Sequence, residues 1–487
     1  MRIALIFPPF HHRKFSENLK VVDEEFITPP PIILAYVAAI LERAGHKVTL
    51  IDANVFRLSK EETVRRALDF KPDMLGFRMD TYSFQETLEW IKYLKERTKL
   101  PVITGGINIT NYPMESLSHP EIDYGIIGEA IESLPKFLRV LENKKDFSTV
   151  EGLVWRENGD VKVNPPKSNL ADFDTYPFPA RHLLPNEKYH SFVSQRKNFT
   201  IMLTSTGCPF NCKFCIISRL PYRERSAGNV LAEIERCYYD YHIREIDFFD
   251  GTFFINKKRT LEICEGIVRR GMKFEWTCRS RVDIITEEIV REASRAGCRE
   301  INLGIESAMP EVLDGIKKQI SVEQVRNAVK LCNKYGVRVL GFFMFGNPGE
   351  TKASLLKTIE FMKELDLDFV QICRTIAKPQ TDLNDLLVRE TGRDYWREFV
   401  LGTVGEERLP APWTELSQRE IEKYLKLAYY GFYFRPKYIW RKIVQLKSFS
   451  EFMRYVRVAL RMLFQYSYWD VPHPQIWFKG RLNEDKR

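Results

Sequence analysis

Apolar and polar positions follow two periods along this chain. Ile3–Phe7, Val48–Ile51, Met74–Phe77, Val102–Thr104 and Tyr124–Ile127 are short apolar runs with turn residues around them, as buried strands are. Ile32–Ala44 is spaced as a helix and stops at Gly45, which suits a helix C-terminus. Strand and helix signals in alternation predict a parallel sheet over residues 1–145, a doubly wound, Rossmann-like domain with ligands at the carboxyl ends of its strands. Gly152–Glu157 and Asp160–Val163 flank Asn158-Gly159, a hairpin turn signal. A polar stretch with Pro165, Pro166, Pro177 and Pro179 follows, and residues 146–195 read as hairpin and linker.

The alternation resumes over residues 196–400. Ile201–Thr204, Glu245–Phe249, Glu275–Cys278, Ile301–Gly304, Val339–Phe343 and Phe369–Cys373 are candidate strands separated by helical segments. Such regularity predicts a parallel, partial (β/α)6 barrel of the TIM type. Residues 401–487 change character: they are helical in pattern, rich in Tyr, Phe and Trp, and basic. The fold class is therefore α/β with a mostly helical C-terminal domain.

Composition narrows the class. With 487 residues, 44% of them hydrophobic and 29% charged, the chain is an ordinary globular one with room for about three domains. A net charge of +9 is modest for this length and argues weakly for an anionic partner. No apolar run reaches the length of a membrane span, and Pro8 and Pro9 break the N-terminal run, which suits a first strand better than a signal peptide. The nine cysteines are an odd set, none of them in the first 207 residues. That is no disulfide framework, and it predicts a reducing, cytoplasmic setting.

The chemistry concentrates in Thr206-Gly207-Cys208-Pro209-Phe210-Asn211-Cys212-Lys213-Phe214-Cys215. Three thiolates at C-x3-C-x2-C spacing on one loop can hold three irons of a [4Fe–4S] cluster, leaving the fourth iron open to a ligand. Zinc, or a redox pair of Cys212 and Cys215, is the alternative. Zinc asks for a fourth Cys or His, and the nearest histidines, His190 and His242, lie well outside the loop. The spacing, with Phe214 before the last cysteine, resembles the radical S-adenosylmethionine (SAM) superfamily. That resemblance implies SAM bound to the open iron and cleaved reductively to a 5′-deoxyadenosyl radical, with a low-potential donor such as ferredoxin or flavodoxin.

Further motifs resemble the superfamily's barrel in order. Asp250-Gly251-Thr252 follows the second strand, where relatives carry acidic or Asp-Gly residues near SAM. Arg279 and Arg281 end the third, and Arg281 is the preferred partner for the SAM carboxylate. Glu306 and Ser307 belong to a G-x-E-S element that approaches SAM, and Gly346 opens a glycine-rich turn near the adenine. Taken singly, each has an ordinary structural reading, as a salt-bridged group or a plain turn. Cys237, Cys264, Cys278, Cys298, Cys332 and Cys373 read as small core residues.

The N-terminal block resembles the cobalamin-binding domain that precedes many radical SAM barrels. The resemblance rests on strand ends at Pro8-Pro9, Asp52-Ala53-Asn54, Gly105-Gly106 and Gly128-Glu129-Ala130, and on Pro29-Pro30-Pro31 ahead of a helix. It implies cobalamin at Pro8, Pro9, Asp52, Asn54, Gly105, Gly106, Gly128 and Glu129. The cobalt-ligating D-x-H-x-x-G element is absent: the loop reads Phe10-His11-His12-Arg13-Lys14, and both histidines read as solvated. A doubly wound domain without cobalamin is the alternative.

In the C-terminal block, Tyr429–Lys442 is aromatic and basic, and Phe452–Tyr468 is spaced as an amphipathic helix with Arg454, Arg457 and Arg461 on one face. A lid over the barrel mouth, a peripheral membrane contact and a packed appendage all remain open, whereas nucleic-acid binding is not expected. The whole arrangement resembles class B radical SAM enzymes, cobalamin-dependent methylases and the anaerobic magnesium-protoporphyrin monomethyl ester cyclase among them. That resemblance implies methylation of an unactivated carbon of a small molecule, lipid-like or hydrophobic ones among the candidates, through a 5′-deoxyadenosyl radical and methylcobalamin. Radical cyclisation or C–C bond formation on a lipid or tetrapyrrole is the alternative. A methylthiotransferase acting on tRNA would need N-terminal cysteines for a second cluster.

Overall fold

The computed structural model describes residues 1–9, 27–191, 198–405 and 409–445, together with Phe452, Met453, Val456 and Leu460. Its strands, in chain order, are β1 (Arg2–Phe7), β2 (Ile27–Thr28), β3 (Lys47–Asp52), β4 (Met74–Arg78), β5 (Val102–Gly105), β6 (Tyr124–Ile126), β7 (Leu153–Glu157), β8 (Asp160–Val163) and β9 (His190–Ser191). They continue with β10 (Phe199–Met202), β11 (Ser205–Thr206), β12 (Arg223–Glu224), β13 (Glu245–Phe248), β14 (Glu275–Arg281), β15 (Cys298–Glu306), β16 (Arg338–Phe345) and β17 (Phe369–Arg374).

The first sheet has the order β3-β1-β4-β5-β6-β7-β8, with β3 through β6 parallel. From Ile3 onward strand β1 is apolar because both of its faces are covered: Ile3, Leu5 and Phe7 join one core, Ala4 and Ile6 the other. The chain leaves β1 for β3 on one side and returns to β4 on the other, so the strand order reverses there and opens a crevice at the carboxyl ends. The Asn158-Gly159 hairpin is more than a connection: β7 pairs antiparallel with β6 and β8 with β7, so both extend this sheet.

The second sheet runs β10-β13-β14-β15-β16-β17 in strict sequence order, all parallel. Helices cover its outer face, and the largest core lies between them and Ile246, Phe248, Trp276, Ile301, Leu303, Val339 and Phe343. This is a half-barrel with two edges to protect. At β10, Phe199 and Ile201 join a core of the first domain. At β17, the helix Gln418–Tyr433 does the covering: Tyr433 Oη lies 3.0 Å from Val370 N and 2.8 Å from its carbonyl oxygen, and Tyr429 Oη lies 2.9 Å from Ile372 N. The tyrosines are four residues apart, so both reach one side of the helix.

The next helix, Pro436–Gln445, packs where β17 begins, with Tyr438 donating to Asp368 O and Lys442 paired to Asp368. That is the amino end of the strand, opposite the mouth, so this aromatic stretch is no lid. Trp413 does reach the mouth and donates to Gly346 O at 2.9 Å. The helix Tyr395–Leu401 crosses back to bury Trp396, Phe399 and Val400 in the first domain. Of Phe452–Tyr468, Arg454, Arg457 and Arg461 lie outside the described residues, as do His11 and His12.

Candidate active site

The candidate cluster, SAM and cobalamin residues lie at or just beyond the carboxyl ends of strands in the two sheets. The cysteine loop leaves β10, and its base is closed by the antiparallel pair β11–β12. Gly207 adopts φ +70°, and a Cβ there would stand 2.3 Å from Pro221 O, so the entry to Cys208 requires glycine. Cys215 N donates to Cys212 O, and Ser218 Oγ donates to Cys215 O at 2.6 Å, winding the loop into a short 3-10 turn. Gly251 packs on that turn: a Cβ there would meet Ile217 Cδ1 at 2.2 Å.

All three thiols are free. Burial raises the Cys212 pKa, and Lys318 and Arg281 pull it back. Burial also raises that of Cys215, opposed by the amides of Ile217 and Ser218. Among the described residues no group of three His, Cys, Asp or Glu side chains surrounds a single ion. A cubane makes no such demand, because each thiolate takes a different iron. A loop with thiols opposite two buried cations fits an anionic cluster.

Arg281 is packed rather than free. It is held by Asp283 at 2.8 Å and by Lys318 O at 2.7 Å, its guanidinium lies 3.9 Å from the Phe210 ring centroid, and Nη1 is 3.8 Å from Cys212 Sγ. Lys318, which sequence reasoning missed, is buried and donates to Glu306 Oε1 at 2.7 Å. Gly304 makes room for it, since a Cβ would sit 2.6 Å from Lys318 Nζ. Cys212, Arg281, Glu306 and Lys318 thus form one cluster of groups suited to the amine and carboxylate of an amino acid.

The other candidates serve the frame. Asp250 is fully enclosed and accepts from Thr204 N, Thr204 Oγ1 and Ser205 N at 2.7, 2.5 and 3.0 Å. Burial raises its pKa and the Thr204 bonds lower it, so Asp250 fixes the entrance to the cysteine loop. Ser307 is buried against Thr358. Gly346 adopts φ +87°, its nitrogen bound by Glu350 and its flank by Ile421. Phe214 packs on Ala377, Leu383 and Leu387. Arg279 turns away from the loop to chelate Asp247 at 2.7 and 3.0 Å.

In the first domain, the crevice where the strand order reverses is lined by Phe7, Pro8, Pro9, Arg78 and Asp80. Asp52 accepts from Asn54 N, Val55 N and Tyr189 Oη, and shapes the turn after β3 while burial raises its pKa. Gly105 ends β5, a Cβ on Gly106 would stand 2.8 Å from Met79 O, and one on Gly128, at φ +74°, would meet Pro166 Cβ at 4.0 Å. These features suit a large flat ligand laid over strand ends. Glu129 accepts from Tyr176 and pairs with Arg223 of β12, joining the crevice edge to the base of the cysteine loop.

Comparison with known proteins agrees with this geometry. The profile of the radical SAM superfamily matches residues 202–362, and that of the B12 binding domain matches residues 26–138. An uncharacterised methyltransferase of Pyrococcus horikoshii is 32% identical over 477 residues, covering 96% of this chain and 99% of its own. An anaerobic magnesium-protoporphyrin IX monomethyl ester cyclase of Rubrivivax gelatinosus is 26% identical over 79% of this chain and 69% of its own. The radical SAM methyltransferase TsrM of Kitasatospora setae, solved with cobalamin and a [4Fe–4S] cluster, shares the fold at TM-score 0.64 and 19% identity, over 80% of this chain and 75% of that one.

A half-barrel with a three-cysteine loop at its mouth defines a radical SAM enzyme. This chain belongs to the radical SAM superfamily, in the group that carries a B12-binding domain ahead of the barrel. Its cofactors are a [4Fe–4S] cluster, SAM and cobalamin. Enzymes of this superfamily act on small molecules and need a reductant. Among the described residues no helix is long and apolar enough to cross a membrane.

Proposed function

We propose that this enzyme methylates an unactivated carbon of a small molecule. The observation that carries the reading is the tie between two sites in one frame, the cobalamin-type crevice and the cysteine loop, through Glu129 and Arg223. The methyltransferase name of a relative aligned over 99% of its length supports it.

When bound, the cluster and SAM supply a carbon-centred radical, and cobalamin supplies a methyl carrier. The protein's part is positioning. Cys208, Cys212 and Cys215 would offer three thiolates to the irons, and Lys318 and Arg281 would hold the carboxylate of SAM. Glu306 would accept from the SAM amine. Asp250 and Gly207 hold the loop so that these groups face the barrel interior. Ring closure without methyl transfer is the second reading, favoured by the likeness to the cyclase.

The first half of the reaction needs no acceptor, so it can be tested without knowing the substrate. The reduced, cobalamin-loaded protein is given SAM labelled in its methyl group. The expected result is S-adenosylhomocysteine with label in the corrinoid fraction. Label that never leaves SAM overturns the methylase and leaves ring closure.

A further inference from the structure

The concave face of the half-barrel is defined by strand alternation. Ile246 and Phe248, Trp276 and Cys278, Ile301 and Leu303, and Val339 and Phe343 point outward into the helical layer. The residues between them face inward. Register places Arg279, Asn302 and Leu340 in one inward row, and Arg281, Gly304, Phe342 and Gln371 in the next row toward the mouth. Phe249 follows β13 directly and stands beside the first row, its ring centroid 4.0 Å from the Arg279 guanidinium carbon.

Three arginines that line or border this face each have a carboxylate. Arg279 chelates Asp247, Arg299 pairs with Glu245 at 2.8 Å and Arg338 with Glu300 at 3.3 Å. Arg281 and Lys318, nearer the mouth, belong to the SAM subsite proposed above. A charged substrate group entering here would leave water without meeting an unpaired counter-charge from these residues, at a cost of several kcal/mol.

Two features point to what does enter. Phe249 is 48% exposed although it lies inside the fold, and Leu340, Phe342 and Met344 continue an apolar wall on the same side. Asn302 is 9% exposed, and its Oδ1 is buried with no hydrogen-bond partner. Such an orphaned polar atom is costly unless a ligand satisfies it. A hydroxyl answers an amide in either orientation, because it both donates and accepts.

We infer that the substrate is a neutral, largely apolar molecule that lays a flat or aliphatic face on Phe249 and Phe342 and sets a hydroxyl against Asn302. This inference rests on the radical SAM reading and deepens it. Phe249 and Asn302 are the specificity residues.

The full-length protein, reconstituted with its cluster, is tested by equilibrium dialysis with three matched probes: 2-naphthol, naphthalene and 2-naphthoate. SAM cleavage is measured on the same preparation. The neutral probes are expected to bind and 2-naphthoate is not, with 2-naphthol favoured over naphthalene about tenfold. F249A weakens both neutral probes. N302L, which keeps the branching and the number of heavy atoms, removes the preference for 2-naphthol while naphthalene still binds, and it keeps the test available if F249A does not fold. Cleavage of SAM together with tightest binding of 2-naphthoate, or with an undiminished 2-naphthol preference in N302L, overturns the inference and leaves the enzyme class standing. Failure of the wild-type protein to cleave SAM overturns the enzyme class, and the inference with it.

Discussion

At the scale of single residues, the site divides into groups that face the chemistry and groups that hold them. Cys212 is the most buried of the three cluster cysteines and lies beside Arg281 and Lys318. C212A is expected to lose the cluster's visible absorbance, read directly after anaerobic reconstitution; a full cubane signal in that variant would contradict the assignment. In the proposed reading, Lys318 would position SAM. K318M is expected to weaken SAM binding at least about tenfold, the loss of a buried charge-assisted contact, while cluster absorbance stays. Equal SAM affinity in the variant would show that Lys318 only packs. The cysteines were legible in the sequence because their spacing is itself the chemistry. Lys318 was not, because one lysine in Gly315-Ile316-Lys317-Lys318 carries no sign of direction. Its burial depends on positive φ at Lys317 and Gln319, which turns the segment after the helix Pro310–Gly315 inward. Asp250 was found for a different reason from its use: an acid after a barrel strand reads as a SAM contact, and the fold spends it on backbone amides of the cysteine loop.

At the scale of elements, the six barrel strands were readable because each is a short apolar run between helical periods, and all six form. What pattern could not supply was the fate of the edges. An amphipathic, tyrosine-rich helix looks like a lid or a membrane contact until its partner is known. Here Tyr429 and Tyr433 lend hydroxyls to the backbone of β17, an edge strand that a half-barrel leaves open. Y433F removes the hydroxyl that answers Val370, and its expected cost is about 1–3 kcal/mol in urea-induced unfolding, the price of unsatisfied backbone groups. An unchanged unfolding midpoint would show that water replaces the tyrosine. The hairpin at Asn158-Gly159 was legible as a turn, but its allegiance to the first sheet was not, since pairing with β6 is a long-range choice.

At the scale of the molecule, the two halves are joined by buried charge. Arg181, from the connection, lies 2.6 Å from Glu233 of the barrel, and Arg225 holds the other Glu233 oxygen. All three are almost wholly enclosed. Removing one member leaves the rest undercompensated, so R181M is expected to destabilise the protein by about 3–5 kcal/mol, measured by thermal or denaturant unfolding. Near-wild-type stability would mean that the triad is replaceable by packing. Sequence periodicity gave two α/β units but no account of their union, because Arg181 and Glu233 are 52 positions apart and neither sits in a motif. Glu129 was singled out, but as a cobalamin contact; its tie to Arg223, 94 positions on, which connects the crevice to the cysteine loop, was not legible.

The most direct test of the account is made on the whole chain. The protein is reconstituted anaerobically with iron, sulfide and hydroxocobalamin, freed of unbound cofactor, and supplied with SAM and a low-potential reductant. The account predicts one [4Fe–4S] cluster and one cobalamin per chain, with 5′-deoxyadenosine and S-adenosylhomocysteine both formed. A protein that holds the cluster and yields 5′-deoxyadenosine but retains no cobalamin would contradict it.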